Sequence, residues 1–388
     1  MDYSKIINKN AAEIKPSGIR KFFDLVSVIP DALSLGVGEP DFPTPWNISS
    51  SATRSIDEGH THYTGNSGLP ALRQAIVDYV KLRFNLNYAP EETIVTVGAS
   101  EAIDLSMRAI INFGDEVLIP EPSYVSYAPC VILAGGKPVA VECRAENSFK
   151  VTLSALKAKI TKKTKALILP YPNNPTGAIM EESDLKPIAD YLKNTDIITV
   201  SDEIYAELTY GKKHYSIAAL PDMKERVILI NGFSKAFAMT GWRLGYVCAP
   251  KELITPMLKI HQYTIMCAPT ASQYAGLEAL VSGMQDDFSS VENMRSQYDL
   301  RRRFLHSSLN EMGLSCFNPE GAFYVFPCVK STGMDGETFA ENLLKDQKTA
   351  VVPGIAFGSC GKDFIRISYA YSIKQLEEAI KRIQAFLK

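Results

Sequence analysis

The sequence predicts an α/β protein: a mainly parallel sheet with helices on both faces, joined to a smaller α+β unit. Three observations predict it. Between about residue 70 and residue 250, short apolar runs alternate with stretches of helical period. After about residue 250 that alternation stops, and one long helical stretch precedes a few short apolar runs and a terminal helix. The chain has 388 residues, too many for one ordinary core and enough for a large domain plus a small one.

Taken in order, the first 23 residues are polar and lack a long apolar run, so they do not read as a signal peptide. "ALSLGVGEPDFPTP" (32–45) is rich in Gly and Pro and reads as a crossing segment or arm rather than sheet core. The strand candidates are "TIVTVG" (93–98), "EVLIPEP" (116–122), "ALILPYP" (166–172), "IITVSDE" (197–203), "RVILIN" (226–231) and "LGYVCAP" (244–250). Helical period appears between them, as in "SEAIDLSMRAII" (100–111) and "ESDLKPIADYLK" (182–193). Strands alternating with helices argue for a parallel sheet covered on both faces, whose ligands bind beyond the carboxyl ends of the strands. The second region holds a long helix (289–313), then "GAFYVFPCV" (321–329), "TAVVPGIAFG" (349–358), "FIRISYA" (364–370) and a helix over 373–388. The division this suggests is an arm with part of the small domain (1–45), a large domain (46–280) and a small C-terminal domain (281–388).

Composition narrows the function. Apolar residues make up 46% and charged residues 22%, as in ordinary soluble globular proteins. A net charge of −2 without a basic block gives no reason to expect nucleic acid or an anionic membrane as partner, and no apolar run is long enough to span a bilayer. Seven scattered cysteines, an odd number without a CxxC pair, read as reduced thiols of a cytoplasmic protein. The five histidines show no metal-binding spacing, and no metal is expected.

Polar motifs fall where strands finish. In "VGASEAI" (97–103), small Ala99 and Ser100 let backbone N–H groups approach an anion at a helix N-terminus; taken alone, Ser100 reads equally as a helix cap. In "YPNNPTGAIM" (171–180), Asn173 and Asn174 offer amide donors on a proline-stiffened turn. In "VSDEIYAEL" (200–208), Asp202 follows an apolar run, where a carboxylate is expensive to desolvate unless a cation meets it; the plainer alternative is a helix cap. Tyr205 lies three residues on. In "NGFSKAFAMTGWRLGYVCAP" (231–250), Lys235 sits among small residues and aromatics, unlike an ordinary surface lysine. Desolvation and cationic neighbours would lower its pKa and make it a base or nucleophile, while Ser234 and Arg243 are placed to hold a phosphate. A phosphorylated, electron-withdrawing pyridine held by a lysine Schiff base would use all of these groups.

The chain resembles the class I/II aminotransferases, the fold-type-I enzymes dependent on pyridoxal 5′-phosphate (PLP). The likeness rests on "SLGVGEPDFPTP", "HYTGNSGLPALRQAI", "YPNNPTG", "SDEIYAEL", "FSKAFAMTGWRLGY", "GAFYVFP" and "FIRISYA", in family order over essentially the whole chain. It is most similar to the prokaryotic aspartate and aromatic amino-acid aminotransferases. The resemblance implies a seven-stranded, mainly parallel sheet in the large domain. It implies that Lys235 forms the Schiff base and shuttles the proton, that Asp202 pairs with the pyridinium nitrogen, and that Asn174 and Tyr205 bond the phenolic oxygen. Tyr124 would stack on the ring. Ala99, Ser100, Ser234 and Arg243 would hold the phosphate, joined by Tyr63 from a neighbouring subunit in a homodimer. Arg366 would take the substrate α-carboxylate, Gly38 would add a backbone contact, and Ile19, in "PSGIRKFFDLV", would line the substrate entrance. Two departures stand out: Gly232 where many relatives have Ser, and Tyr124 where many have Trp or Phe.

The implied reaction is ping-pong transamination from an aromatic or aspartate-like L-amino acid to a 2-oxo acid such as 2-oxoglutarate. Two alternatives compete. A PLP-dependent C–S β-lyase would use the same lysine. A PLP-sensing regulator would need a DNA-binding domain, for which the short segment before "LGVGEPD" leaves no room.

Overall fold

The protein is described from a computed structural model, which covers residues 1–16, 18 and 29–388. Leu33–Ser34 forms β1, followed along the chain by β2 (Thr93–Thr96), β3 (Glu116–Glu121), β4 (Lys137–Glu142), β5 (Thr164–Leu169), β6 (Ile198–Asp202), β7 (Val227–Gly232) and β8 (Gly245–Cys248). The short strands β9 (Tyr324–Val325), β10 (Thr349–Ala350), β11 (Val352–Pro353) and β12 (Ile365–Ser368) come last. The large sheet has seven strands in the order β2-β8-β7-β6-β5-β3-β4. Strands β7, β6, β5, β3 and β4 run parallel, and β8 is antiparallel to both its neighbours.

Alternation along the strands builds a core on each face of this sheet. Ile94, Val117, Ile168, Ile228 and Val247 join one core, under the helix Gly98–Ile110. Their chain neighbours Val95, Leu118, Leu167, Leu229 and Tyr246 join the other. Both faces are apolar, which is why these strands read as continuous apolar runs.

The six strand candidates all form, each within a few residues of its expected limits. Strand β4 escaped the reading of the residues. It is an edge strand bonded, among the described residues, only to β3, it carries Pro138, and Val141 is its one buried residue. A half-solvated edge strand has no apolar run to announce it. The expectation for 349–358 also changes: it splits into β10, β11 and a 3-10 turn over Gly354–Phe357. "GAFYVFPCV" contributes only β9 as regular strand.

A third core gathers the C-terminal elements: the helix Ser289–Glu311, the helix Gly336–Gln347, the terminal helix Ile373–Phe386 and strands β9 and β12 of the sheet β11-β12-β9. Leu35 belongs to it, and β1 pairs in parallel with β10. The Gly/Pro-rich segment is thus an arm that enters the smaller unit. Tyr205, Leu208 and Tyr210, just past β6, also pack into this core.

Two glycines permit the approach on which the site rests. Gly98 opens its helix at a φ of +74°. Gly245 faces it from β8, where a Cβ would lie 2.7 Å from the Gly98 carbonyl carbon and 2.8 Å from the Ala99 nitrogen. Gly245→Ala must push the helix N-terminus off the sheet. We expect a loss of about 1–3 kcal/mol in urea unfolding, the usual cost of overpacking.

Candidate active site

The strands deliver the expected side chains to one cavity of about 300 Å³ at their carboxyl ends. Asp202 closes β6, Ser234 and Lys235 follow β7, Asn174 follows β5 and Tyr124 follows β3. Ala99 and Ser100 reach it from the start of the helix Gly98–Ile110, and Arg243 from the turn before β8. From the smaller unit come Arg366 on β12 and Gly38 in the arm, with Tyr205 beside Asp202. Tyr63 is not in this cavity; it is 81% exposed elsewhere on the surface. Ile19 lies outside the described residues.

The Lys235 amine donates to the Gly38 carbonyl at 2.6 Å and stands 5.8 Å and 5.7 Å from the ring centres of Tyr205 and Phe323. Burial pulls it down to about 8. Glu39 and Asp202 oppose that shift, while Arg366 and Arg243 reinforce it. Near pH 8 about half of the amine is therefore unprotonated, the form that serves as nucleophile or base.

Asp202 is 5% exposed. Its Oδ2 accepts the Tyr127 hydroxyl at 2.8 Å, and its Oδ1 accepts the Ile204 amide at 3.2 Å. Burial pushes the carboxyl up to about 6, although both hydrogen bonds work in the other direction. The chain after Asp202 makes a turn rather than a helix, so the helix-cap alternative falls away.

Arg366 lies between the rings of Tyr324 and Phe357, with its guanidinium carbon 4.5 Å and 4.9 Å from their centres. Nη1 donates to Asn174 Oδ1 at 2.9 Å and Nη2 to the Gly36 carbonyl at 2.5 Å. Its Nε–H is buried without a partner among the described residues. Asn174 is thus held by Arg366, a contact its turn gave no sign of.

The start of the helix Gly98–Ile110 is organised differently from a serine cap. Ser100 is exposed and makes no cap bond; Glu101 takes the Val97 amide at 2.5 Å instead, and its other oxygen meets His261 at 2.6 Å. Above this terminus lies Arg243, at a φ of +50°. A Cβ on Gly98 would sit 2.6 Å from its Nη2. Its one side-chain hydrogen bond among the described residues goes from Nη1 to the Thr240 carbonyl, at 3.0 Å. A cation at the positive end of a helix is unfavourable unless an anion joins them.

Sequence reasoning missed four members of the site. Tyr127 holds Asp202 across 75 residues, and Tyr324 meets the Tyr205 hydroxyl at 2.8 Å across 119. Gly36 holds Arg366 across 330, and Glu39 receives the Thr240 hydroxyl at 2.6 Å across 201. The motifs "SYVSYAP", "GAFYVFP" and "SLGVGEP" contain them, but no local spacing reveals such distant partners.

The raised Asp202 pKa has a stability consequence. The folded protein holds this proton more tightly than the unfolded chain does. The contribution is complete below the ordinary carboxylate value of 3.8 and is lost as pH rises through about 6. With nothing bound in the cavity, Asp202→Asn should therefore add up to about 3 kcal/mol at pH 8 and nothing below pH ~4. Urea unfolding at the two pH values measures both.

Comparison with known proteins agrees with this geometry. The family model "Aminotransferase class I and II" matches residues 30–383. The aspartate aminotransferase of Pyrococcus abyssi is 48% identical and the aromatic-amino-acid aminotransferase 2 of Thermococcus litoralis 45%, each match covering 97% of this chain and 96% of the relative. The crystal structure of the aromatic aminotransferase from Pyrococcus horikoshii superimposes with a TM-score of 0.90 at 46% identity, over 94% of this chain and 98% of that one. These relatives lend no support to the lyase alternative. The protein has the fold-type-I architecture and belongs to the class I and II aminotransferases.

Proposed function

We propose that this aminotransferase moves an amino group from an aromatic or aspartate-like L-amino acid to a 2-oxo acid, with 2-oxoglutarate as the expected acceptor, in ping-pong order, using PLP at Lys235. The two substrate classes are those for which its relatives are named. One observation carries the reading. A single cavity holds an amine lowered to about 8, a buried carboxylate raised to about 6, and an arginine without an ion-pair partner among the described residues, at a helix N-terminus.

These residues fit a phosphorylated pyridine aldehyde. Arg243, Ser234 and the amides of Ala99 and Ser100 form a positive cup without a carboxylate partner among the described residues, as a phosphate requires. Asp202 can face a protonated ring nitrogen, which would offset the cost of keeping it buried and ionised. Tyr124 offers a ring face, and Asn174 and Tyr205 offer donors to a phenolic oxygen. When bound, the cofactor supplies an aldehyde that condenses with amines and a ring that withdraws electrons from the substrate α-carbon.

The protein's own groups do the rest. Lys235 Nζ leaves the Gly38 carbonyl, takes the proton from the substrate α-carbon as general base, and returns it on the other side of the reaction. Arg366 presents the orphaned Nε–H and a neighbouring Nη to the substrate α-carboxylate as a bidentate pair. The aromatic walls around Arg366 exclude water and strengthen that pair.

The proposal includes the division 1–45, 46–280 and 281–388. It also includes a cytoplasmic homodimer in which Tyr63 reaches the phosphate of the partner's site. Tyr63 is 81% exposed, so its side chain is available to reach a partner subunit. No helix among the described residues is long and apolar enough to cross a membrane.

The test is a single-turnover assay of the PLP-loaded protein with individual amino acids. True donors should yield one equivalent of 2-oxo acid and bleach the visible cofactor band. Pyruvate and ammonia from a cysteine derivative, without bleaching, would replace this reading with the lyase. In the steady state, Lys235→Ala should lower turnover by at least roughly 10² to 10⁴-fold, the contribution of a positioned base. Arg366→Gln should lower kcat/KM by roughly 10- to 150-fold, the loss of about 1.5–3 kcal/mol from hydrogen bonds to a charged group.

A further inference from the structure

Asp202 is followed in the chain by a second buried carboxylate, which has no part in the reaction described above. Alternation at the end of β6 turns Ser201 and Glu203 away from the face that carries Asp202. The Glu203 side chain is 1% exposed. Its Oε1 accepts the hydroxyls of Ser201 at 2.8 Å and Ser216 at 2.6 Å. Its Oε2 meets His214 Nε2 at 2.6 Å. The Glu203 amide is also tied, donating to the Ile230 carbonyl on β7 at 2.8 Å.

Three donors on two oxygens are the pattern of an ionised, acceptor-only carboxylate. Such a charge out of water needs a counter-charge or a full set of donors. Two of the donors are neutral hydroxyls, so His214 is the one able to carry an offsetting charge. Its ring has an edge-on contact with Phe84 at 5.7 Å. Its other side borders a polar cavity of about 420 Å³. The cations on that cavity are Arg83, Lys212, Lys213 and Arg295, and the carboxylates are Glu207, Asp287 and Glu292. Arg83 pairs with Glu207 and Glu292, Arg295 with Glu292, and Lys212 with Glu181 and Glu320. Most of these charges are already matched. Tyr88 and Tyr246 also lie within electrostatic reach of Glu203. On the other face, Asp202 feels Tyr127 and Lys235.

We infer that Glu203 and His214 form a buried positioning pair for Asp202: it pins the end of β6 so that Asp202 faces the cavity, and it places behind Asp202 a second negative charge that the imidazole partly offsets. Glu203 is among the groups that raise the Asp202 carboxyl. The same charge favours protonated forms of whatever Asp202 faces. This inference rests on the reading of the cavity as a PLP site, and it extends that reading to residues outside the cavity.

Three proteins test it: wild type, Glu203→Gln and His214→Gln, each loaded with PLP and followed by absorption across pH. Glu203→Gln keeps the shape and removes the charge, so the pH midpoint of the cofactor band should fall. His214→Gln keeps a donor to Glu203 but removes the offset, so the midpoint should rise. Each shift should be about half a unit to one unit, less than the one to three units of a direct ion pair. Opposite signs cannot come from a general loosening of the fold. Unchanged midpoints, or shifts in the same direction, overturn the inference. Should Glu203→Gln fail to fold, His214→Gln decides alone: a rise supports the pair, and no rise overturns it. A second readout needs no cofactor. Histidine ¹⁵N spectra of the cofactor-free proteins should show His214 protonated on both ring nitrogens in the wild type. In Glu203→Gln the Nε2 proton should be lost and the Nδ1 proton kept, because the charge is gone and the new amide presents a donor. Wild-type protein that takes up no PLP overturns the cofactor reading and this inference with it. That failure is distinct, because the histidine spectra still report whether Glu203 and His214 are bonded.

Discussion

A carboxylate kept out of water at the end of β6 is the constraint on which the rest of the site depends. Asp202 cannot be ionised there cheaply, and its surroundings answer that cost on each side. Tyr127 and the Ile204 amide donate to it, and Lys235 brings positive charge into the same cavity. Lys235 faces the mirror-image problem. Burial drives its amine toward the neutral form while burial drives Asp202 toward the protonated form. Each group is thereby moved toward the pH range in which proton transfer is useful.

The cavity lies where the large sheet meets the smaller unit, and the arm joins the two. The Gly38 carbonyl holds Lys235 and the Gly36 carbonyl holds Arg366. Thr44 bonds to the Ala238 carbonyl and receives the Trp242 indole N–H, while Asp41 pairs with Arg301 on the helix Ser289–Glu311. A short extended segment thus touches Lys235 of one unit and Arg366 of the other. Lys235 rests on a backbone carbonyl, and Arg366 on a backbone carbonyl and the Asn174 side-chain oxygen, neutral acceptors that bond a cation more weakly than an anion does.

The sequence by itself determined the layered architecture and the identity of most chemical groups. Continuous apolar runs of strand length, set between helical stretches, can only be buried as a sheet covered on both faces. Charged and amide residues just past such runs must gather at one edge of it. Lys235, Asp202 and Arg243 were legible because each carries charge in an apolar or small-residue setting; Arg366, which by itself reads as an edge salt bridge, was picked out only by the resemblance of "FIRISYA" to the family motif. The edge strand β4 was not legible, since solvent on one side erases the apolar signal.

The tertiary structure alone decided the pairings. Tyr127 on Asp202, Tyr324 on Tyr205, Gly36 on Arg366 and Glu203 on His214 join groups whose local sequence says nothing of the partner. The helix start at Gly98 makes the same point. Ser100 has the residue type of a cap, yet Glu101 takes the Val97 amide because His261, on a distant helix, holds its other oxygen. Local chemistry sets which groups must find a partner once buried. Which partner they find is a matter of geometry, fixed only when the two faces of the sheet and the smaller unit have packed.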